Sequence, residues 1–300
     1  MSERHEVLEP DRAPPSTPAC IGLVVHPTRR VDRPLRELRD WAGSHGVELV
    51  QVNAECQQQR VAEDGDPAEC DLLVAIGGDG TTLAAIRAGA LAARPVLAVA
   101  CGSVGALTSV PASEVVEAIE RFSRGDWVPR PLPGLEIVGD VGLRLFALND
   151  VVVVRSGSGQ TRLAVEVDGG LCARLAGDGC IASTPVGSSA YTIAAGGPLL
   201  APDIDAFVIT PLPTHGGSAP PLVIGASSSV RLVPMPGHQG ARLEIDGQRA
   251  GPLEEALTIT LRSAAATVVT LPPQESMLEV LRERGIIADS PRILADRSRP

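Results

Sequence analysis

Asp71-Leu72-Leu73-Val74-Ala75-Ile76-Gly77-Gly78-Asp79-Gly80-Thr81-Thr82-Leu83 is the stretch that decides the fold. Leu72 to Ile76 is an apolar run with the length and branching of a strand buried on both faces in a parallel sheet. Leu83, Ile86 and Ala90 then recur at helical spacing, which predicts a helix from Thr81 to about Leu91. Between the two, Gly77, Gly78 and Gly80 permit positive φ and close approach, so backbone N–H groups can meet an anion at the start of the helix. Phosphate is the natural guest. A carboxylate among phosphate-binding amides is unfavourable unless it has a task, and accepting a proton from an attacking hydroxyl is the task that fits Asp79. The plainer reading, a tight turn with Asp79 as a helix cap, competes with it on this motif alone.

Working outward, Ile21 to Val25 reads as a strand, Asp32-Arg33-Pro34 opens a helix to about Ser44 with Asp32 as expected N-cap, and Val47 to Val52 reads as a second strand. Asn53 to Glu69 is expected to be a loop or weak helix. Beyond the opening stretch, Pro95 to Ala100 is a fourth strand ending in a second glycine loop, Cys101 to Thr108. Val115 to Phe122 then has helical spacing until Gly125 stops it. Strands alternating with helices give a doubly wound parallel sheet, which binds ligands beyond the carboxyl ends of its strands. Both glycine loops sit at such ends, so a crevice is expected there.

From about Leu132 alternation replaces helical periodicity. Leu163, Val165 and Val167 lead into the turn Asp168-Gly169, and Leu243 and Ile245 lead into Asp246-Gly247. Leu257, Ile259 and Leu261 continue the pattern, which predicts a β-sandwich. The expected organisation is a disordered tail over 1–18, an α/β nucleotide- and phosphate-binding domain over 19–131, a β-sandwich domain over 132–272, and a terminal helix and tail over 273–300. The helix, Met277 to Arg284, is expected to return to the first domain. Asp178 to Thr192 reads as not strand-like: Ser183, Thr184, Ser188, Ser189, Tyr191 and Thr192 crowd it with hydroxyls. Helix caps are the bland explanation, but one cap needs fewer, so a polar ligand such as a nucleoside fits better. Tyr191, the sole tyrosine, can lay its ring on a base.

Composition excludes several classes. A net charge of -10 with 2% aromatics argues against nucleic acid, and no apolar run reaches membrane-spanning length. The charged, proline-rich N-terminus lacks a signal-peptide core, so a cytoplasmic setting is expected. Six cysteines without a C-x-x-C pair and five dispersed histidines predict neither disulfides nor a zinc site. All 26 basic residues are arginine. Without lysine there is no Walker-A loop, no protein-kinase strand lysine and no Schiff base, so amides, arginine and a metal ion must carry any nucleotide phosphate charge.

Taken together, these residues resemble the NAD kinase family from about Ile21 to Arg284. Gly77-Gly78-Asp79-Gly80-Thr81 resembles its first signature and Leu148-Asn149-Asp150-Val151 its Asn-Glu segment. Asp178 through Tyr191 with Gly196-Gly197-Pro198 resembles its second signature, the part that separates it from lipid kinases and phosphofructokinases sharing Gly-Gly-Asp-Gly. Ile209 to His215 and Asp246-Gly247-Gln248 resemble later landmarks.

The resemblance implies transfer of the γ-phosphate of ATP to the adenosine-ribose 2′-hydroxyl of NAD, with Asp79 as general base. Gly77, Gly78, Gly80 and Thr81 would hold donor phosphates, with Mg²⁺ kept mainly by those phosphates and no dedicated protein metal site. Asn149, Asp150, Asp178, Thr184, Ser188, Ser189 and Tyr191 would bind NAD. A homodimer or homotetramer is implied as well. The chain departs from the family at Ala100 and Ala106, where an asparagine and a phenylalanine are usual, at Asp150 in place of glutamate, and at Val186 in place of threonine. These departures open an alternative, a kinase of the same fold acting on another nucleoside, nucleotide or small-molecule hydroxyl. A non-catalytic dinucleotide sensor is the third class, and the intact Asp79 argues against it.

Overall fold

The computed structural model describes residues 16–54, 58–102, 107, 110–217, 219–237, 240–273 and 276–293, with the Met277 side chain left aside. Two compact units emerge, the first made of Met1–Ala85, Arg94–Pro129 and Val269–Gln274, the second of Ile86–Ala93, Arg130–Val268 and Glu275–Pro300.

The first unit is built on a parallel sheet in which Val96–Ala100, Leu72–Gly77, Cys20–Val25 and Glu48–Val52 lie side by side in that order. Leu72–Gly77 is buried at every position, as a central strand must be when helices cover both faces. Asp32–His45 and Val115–Ser123 pack on the sheet through Leu35, Leu38, Trp41, Ala118 and Ile119. The N-cap of the first helix is Val31, without a side-chain cap, and Asp32 is its first helical residue, where a carboxylate favours the helix dipole instead. The segment read as a loop before Leu72 contains a two-residue strand, Asp64–Gly65, and a 3₁₀ turn, Pro67–Glu69. The helix after the glycine turn is Asp79–Ala92, beginning two residues before the expected Thr81.

The second unit is a sandwich of two antiparallel layers. One layer places Gly170–Gly177, Thr161–Val167, Ser229–Pro234 and the long strand Leu257–Thr270 in order. The other places Leu222–Gly225, Ala206–Pro211, Gly179–Ser183, Asp150–Arg155, Ala241–Ile245 and Gln248–Pro252. Leu163, Leu232, Leu257 and Ile259 from the first layer meet Val151, Val153, Phe207 and Leu243 from the second in one core. Each such side chain contributes about 1.5–3 kcal/mol on full burial. Both Asp-Gly turns are as expected: Asp168 and Gly169 have φ of 48° and 79°, Asp246 and Gly247 of 50° and 77°, the type I′ pattern that suits strand twist.

Two further expectations are corrected. Gly179–Ser183, inside the stretch read as not strand-like, is a fully buried strand pairing with Asp150–Arg155 and Ala206–Pro211. It packs on both faces, so it shows no alternation to read. The expected return to the first domain is made by the end of the strand Leu257–Thr270, from Val269 on, while the helix Met277–Glu283 groups with the second unit.

Candidate functional site

In the first unit the site begins where Leu72–Gly77 ends. A Cβ on Gly77 would lie 2.5 Å from Thr81 Oγ1, so glycine alone lets the first helical turn fold back on the strand end. A Cβ on Gly80 would meet nothing within 4 Å, which leaves that side of the turn open. The turn places Asp79 in the first helical turn, where its Oδ1 accepts the Leu107 N–H at 3.2 Å. This bond ties the first glycine turn to the second glycine loop. Ala100 ends its strand opposite Gly77 and is buried, whereas Ala106 lies outside the described residues.

A residue the sequence reading missed stands beside both turns. Arg29 follows the strand Cys20–Val25, and its Nη1 donates to the Cys101 carbonyl at 2.5 Å. The same nitrogen lies 3.1 Å from the Cβ position of Gly102 and 3.4 Å from that of Gly78. The loop that carries it is tightly built: His26 Nδ1 accepts the N–H groups of Thr28 and Arg29 at 3.2 and 3.0 Å, and Gln59 Nε2 donates to the carbonyls of His26 and Arg29. Burial, then the Arg29 charge, lowers the His26 pKa, in the direction that favours the neutral ring whose Nδ1 can accept. The available signal was a cation just past a strand's carboxyl end in a lysine-free chain.

In the second unit Asn149 and Asp150 sit at the start of a central strand and are held from both sides. Asp246 Oδ1 accepts the N–H groups of Leu148, Asn149 and Asp150 at 3.1, 2.7 and 3.2 Å. Opposite, Thr184 donates its hydroxyl to the Leu148 carbonyl at 2.6 Å and its N–H to the Asn149 carbonyl at 2.9 Å. A Cβ on Gly187 would lie 2.0 Å from the Asn149 carbonyl oxygen, so glycine is required for that approach. The Asn149 main chain is thereby used up, and its half-buried side-chain amide has no partner among the described residues. Burial, with Asp246 and Glu244 adding negative charge, pushes the Asp150 carboxyl up to about 7. Burial also raises Asp246, against the pull of the Leu148 and Asn149 amides.

The crowded hydroxyls hold their own loop together. Ser183 and Thr192 share a 2.6 Å bond, Thr184 also accepts the Gly187 N–H, Ser188 donates to the Pro185 carbonyl, and Ser189 to the Val186 carbonyl. Tyr191, by contrast, is 42% exposed. With Asp178 it lines a cleft of about 270 Å³ that also includes Arg155, Leu212 and Arg242. Arg155 Nε meets Asp178 Oδ1 at 2.6 Å, and Arg242 pairs with Glu244 at 2.8 Å. Neither arginine carried a sequence signal, since each is a strand residue whose role depends on its neighbours across the sheet. Among the described residues no three His, Cys, Asp or Glu side chains gather as a metal cage.

Two family descriptions match the chain: "ATP-NAD kinase N-terminal domain" over residues 21–127 and "ATP-NAD kinase C-terminal domain" over residues 148–272. The NAD kinase of Koribacter versatilis is 35% identical over 261 residues, 82% of this chain and 90% of its own. The NAD kinase of Desulforamulus reducens is 31% identical over 277 residues, 88% of this chain and 96% of its own. Among solved structures, yeast NADH kinase complexed with NADH has a TM-score of 0.73 at 19% identity, covering 93% of this chain and 90% of that one. An NAD kinase from Archaeoglobus fulgidus in complex with ATP has a TM-score of 0.69 at 21% identity, covering 90% and 100%. At those identities the two structures bear on the fold alone.

Proposed function

The chain belongs to the ATP-NAD kinase family, and from that premise we propose which of its residues carry out the transfer. The reaction is ATP-dependent phosphorylation of NAD to NADP, at the adenosine-ribose 2′-hydroxyl. The relatives quoted are NAD kinases, and nothing favours the alternative acceptor raised by Ala100 and Asp150.

Asp79 is the base. Its carboxylate takes the 2′-hydroxyl proton as the oxygen attacks the γ-phosphorus, the bond to the β-phosphate oxygen breaks, and ADP leaves. The Leu107 N–H holds that carboxylate in place. Gly77, Gly78, Gly80 and Thr81 receive the donor phosphates at the helix N-terminus, where free N–H groups and the helix dipole favour negative charge. Arg29 supplies the side-chain cation beside them. A divalent ion that arrives on the nucleotide would meet one carboxylate, Asp79, at the phosphate turn. Mg²⁺ bound there would neutralise phosphate charge.

Asn149, Asp150, Asp178, Ser189 and Tyr191 bind NAD, with Thr184 and Ser188 shaping that site through the bonds described above. The observation that carries this part is the Asn149 amide, unpartnered among the described residues on a main chain held from both sides. An oligomer of two or four copies and a cytoplasmic setting belong to the same proposal. Among the described residues no helix is long and apolar enough to cross a membrane.

The test is NADP formation by purified protein with Mg²⁺, ATP and NAD. Wild-type protein is expected to turn over, and Asp79→Asn to lose about 10²–10⁴-fold in kcat with its melting temperature unchanged. A folded wild-type protein that makes no NADP would refute the assignment, and full activity in Asp79→Asn would refute the base.

A further inference from the structure

The aspartate of the second Asp-Gly turn faces away from its own turn. We propose that Asp246 is a positioning residue for NAD: its carboxylate sets the place of Asn149 and Asp150 and thereby the affinity for the dinucleotide. This rests on the reading that those two residues bind NAD.

Asp246 occupies left-handed backbone with φ of 50°, a place that asparagine or glycine fills with less strain. Its side chain is only 2% exposed. In an ordinary turn that side chain would be solvated or would cap a local amide. Here it reaches across 98 residues of sequence, and Leu148 donates to both its oxygens, each at 3.1 Å. Oδ1 also takes the next two amides, and Oδ2 lies 3.8 Å from Arg87 Nε. Successive N–H groups converging on one anion form the kind of concavity that fixes a short backbone segment. The Asp246 N–H closes the arrangement by donating to the Asp150 carbonyl at 3.0 Å.

The chemistry requires a carboxylate. An asparagine offers one acceptor oxygen, and its amide nitrogen would face the Leu148 N–H together with the Arg87 guanidinium in one orientation, or the Leu148, Asn149 and Asp150 N–H groups in the other, donor against donor. With the anchor gone, the Leu148 and Asn149 carbonyls still bind Thr184, so the segment pivots instead of unfolding. The Asn149 amide then leaves the position from which it meets its ligand.

Steady-state kinetics on the full chain, with KM measured separately for NAD and ATP, decide the matter. Asp246→Gly removes the carboxylate while relieving the positive φ, Asp246→Asn keeps the turn's preference, and Asp246→Glu retains an acid. Glycine and asparagine are each expected to raise KM for NAD at least fivefold while KM for ATP stays within twofold, and glutamate to recover part of the loss. A folded Asp246→Gly or Asp246→Asn with KM for NAD within twofold of wild type, or with both KM values rising equally, would overturn the proposal. Asn149→Ala separates the two layers. If it leaves KM for NAD unchanged, the NAD-site reading itself fails, whereas if it raises KM and the Asp246 variants do not, only the positioning role falls.

Discussion

Arg29 is exposed, and an exposed cation ordinarily contributes little. Its setting is unusual because the His26 and Gln59 bonds hold its backbone and the Cys101 carbonyl holds its guanidinium beside two glycine turns. Ordering a side chain in advance lowers the entropic cost of binding an anion. Arg29→Ala is therefore expected to raise KM for ATP about tenfold, roughly 1.4 kcal/mol, with KM for NAD within twofold. Arg29→Lys should recover only part of that, since an ammonium lacks the planar two-pronged donor set. Equal changes in both KM values would remove Arg29 from the donor side.

The short 3₁₀ turn Gly187–Ser189 shows what an element can demand of one residue. A Cβ at Gly187 would press on Asn149 backbone atoms at 2.0 to 2.6 Å, and backbone cannot step aside as a side-chain tip can. Gly187→Ala is expected to lower stability by about 1–3 kcal/mol, read as a drop in melting temperature, and to raise KM for NAD. Much at this scale was legible in the sequence. Leu72–Gly77 announced itself because a strand buried on both faces needs an unbroken apolar run, and the Asp-Gly turns because few residue pairs accept two positive φ values. Gly179–Ser183 was not legible: it is equally buried, but glycine, cysteine and serine give it no apolar signature. Asp79 could be proposed from its neighbours in the sequence, whereas the contacts of Arg29 and Asp246 depend on partners 72 and 98 residues away. Local chemistry carries no trace of such pairings until the chain has folded.

For the whole molecule, the sandwich's buried carboxyls make stability depend on pH. Folding raises the Asp150 pKa from the ordinary carboxylate range to about 7, so the folded state holds that proton more tightly than the unfolded one. Its contribution to stability is present in full below about pH 4 and is lost as pH rises through about 7. Urea titration should find wild-type protein less stable at pH 8 than at pH 5, and Asp150→Asn should remove about 2–3 kcal/mol of that difference. An unchanged difference in the variant would place the dependence on other groups. Val269 bears on the molecule in another way. It is fully buried in the core of the first unit although it follows nearly all of the second in the chain, and nearby the Pro272 carbonyl accepts from Arg121 at 2.7 Å. The first unit is thus no cassette. A gene fragment ending at residue 131 encodes the first unit without Val269, so a break at that boundary leaves the first core incomplete, while the second core, Leu135 to Ile259, stays on one side of it.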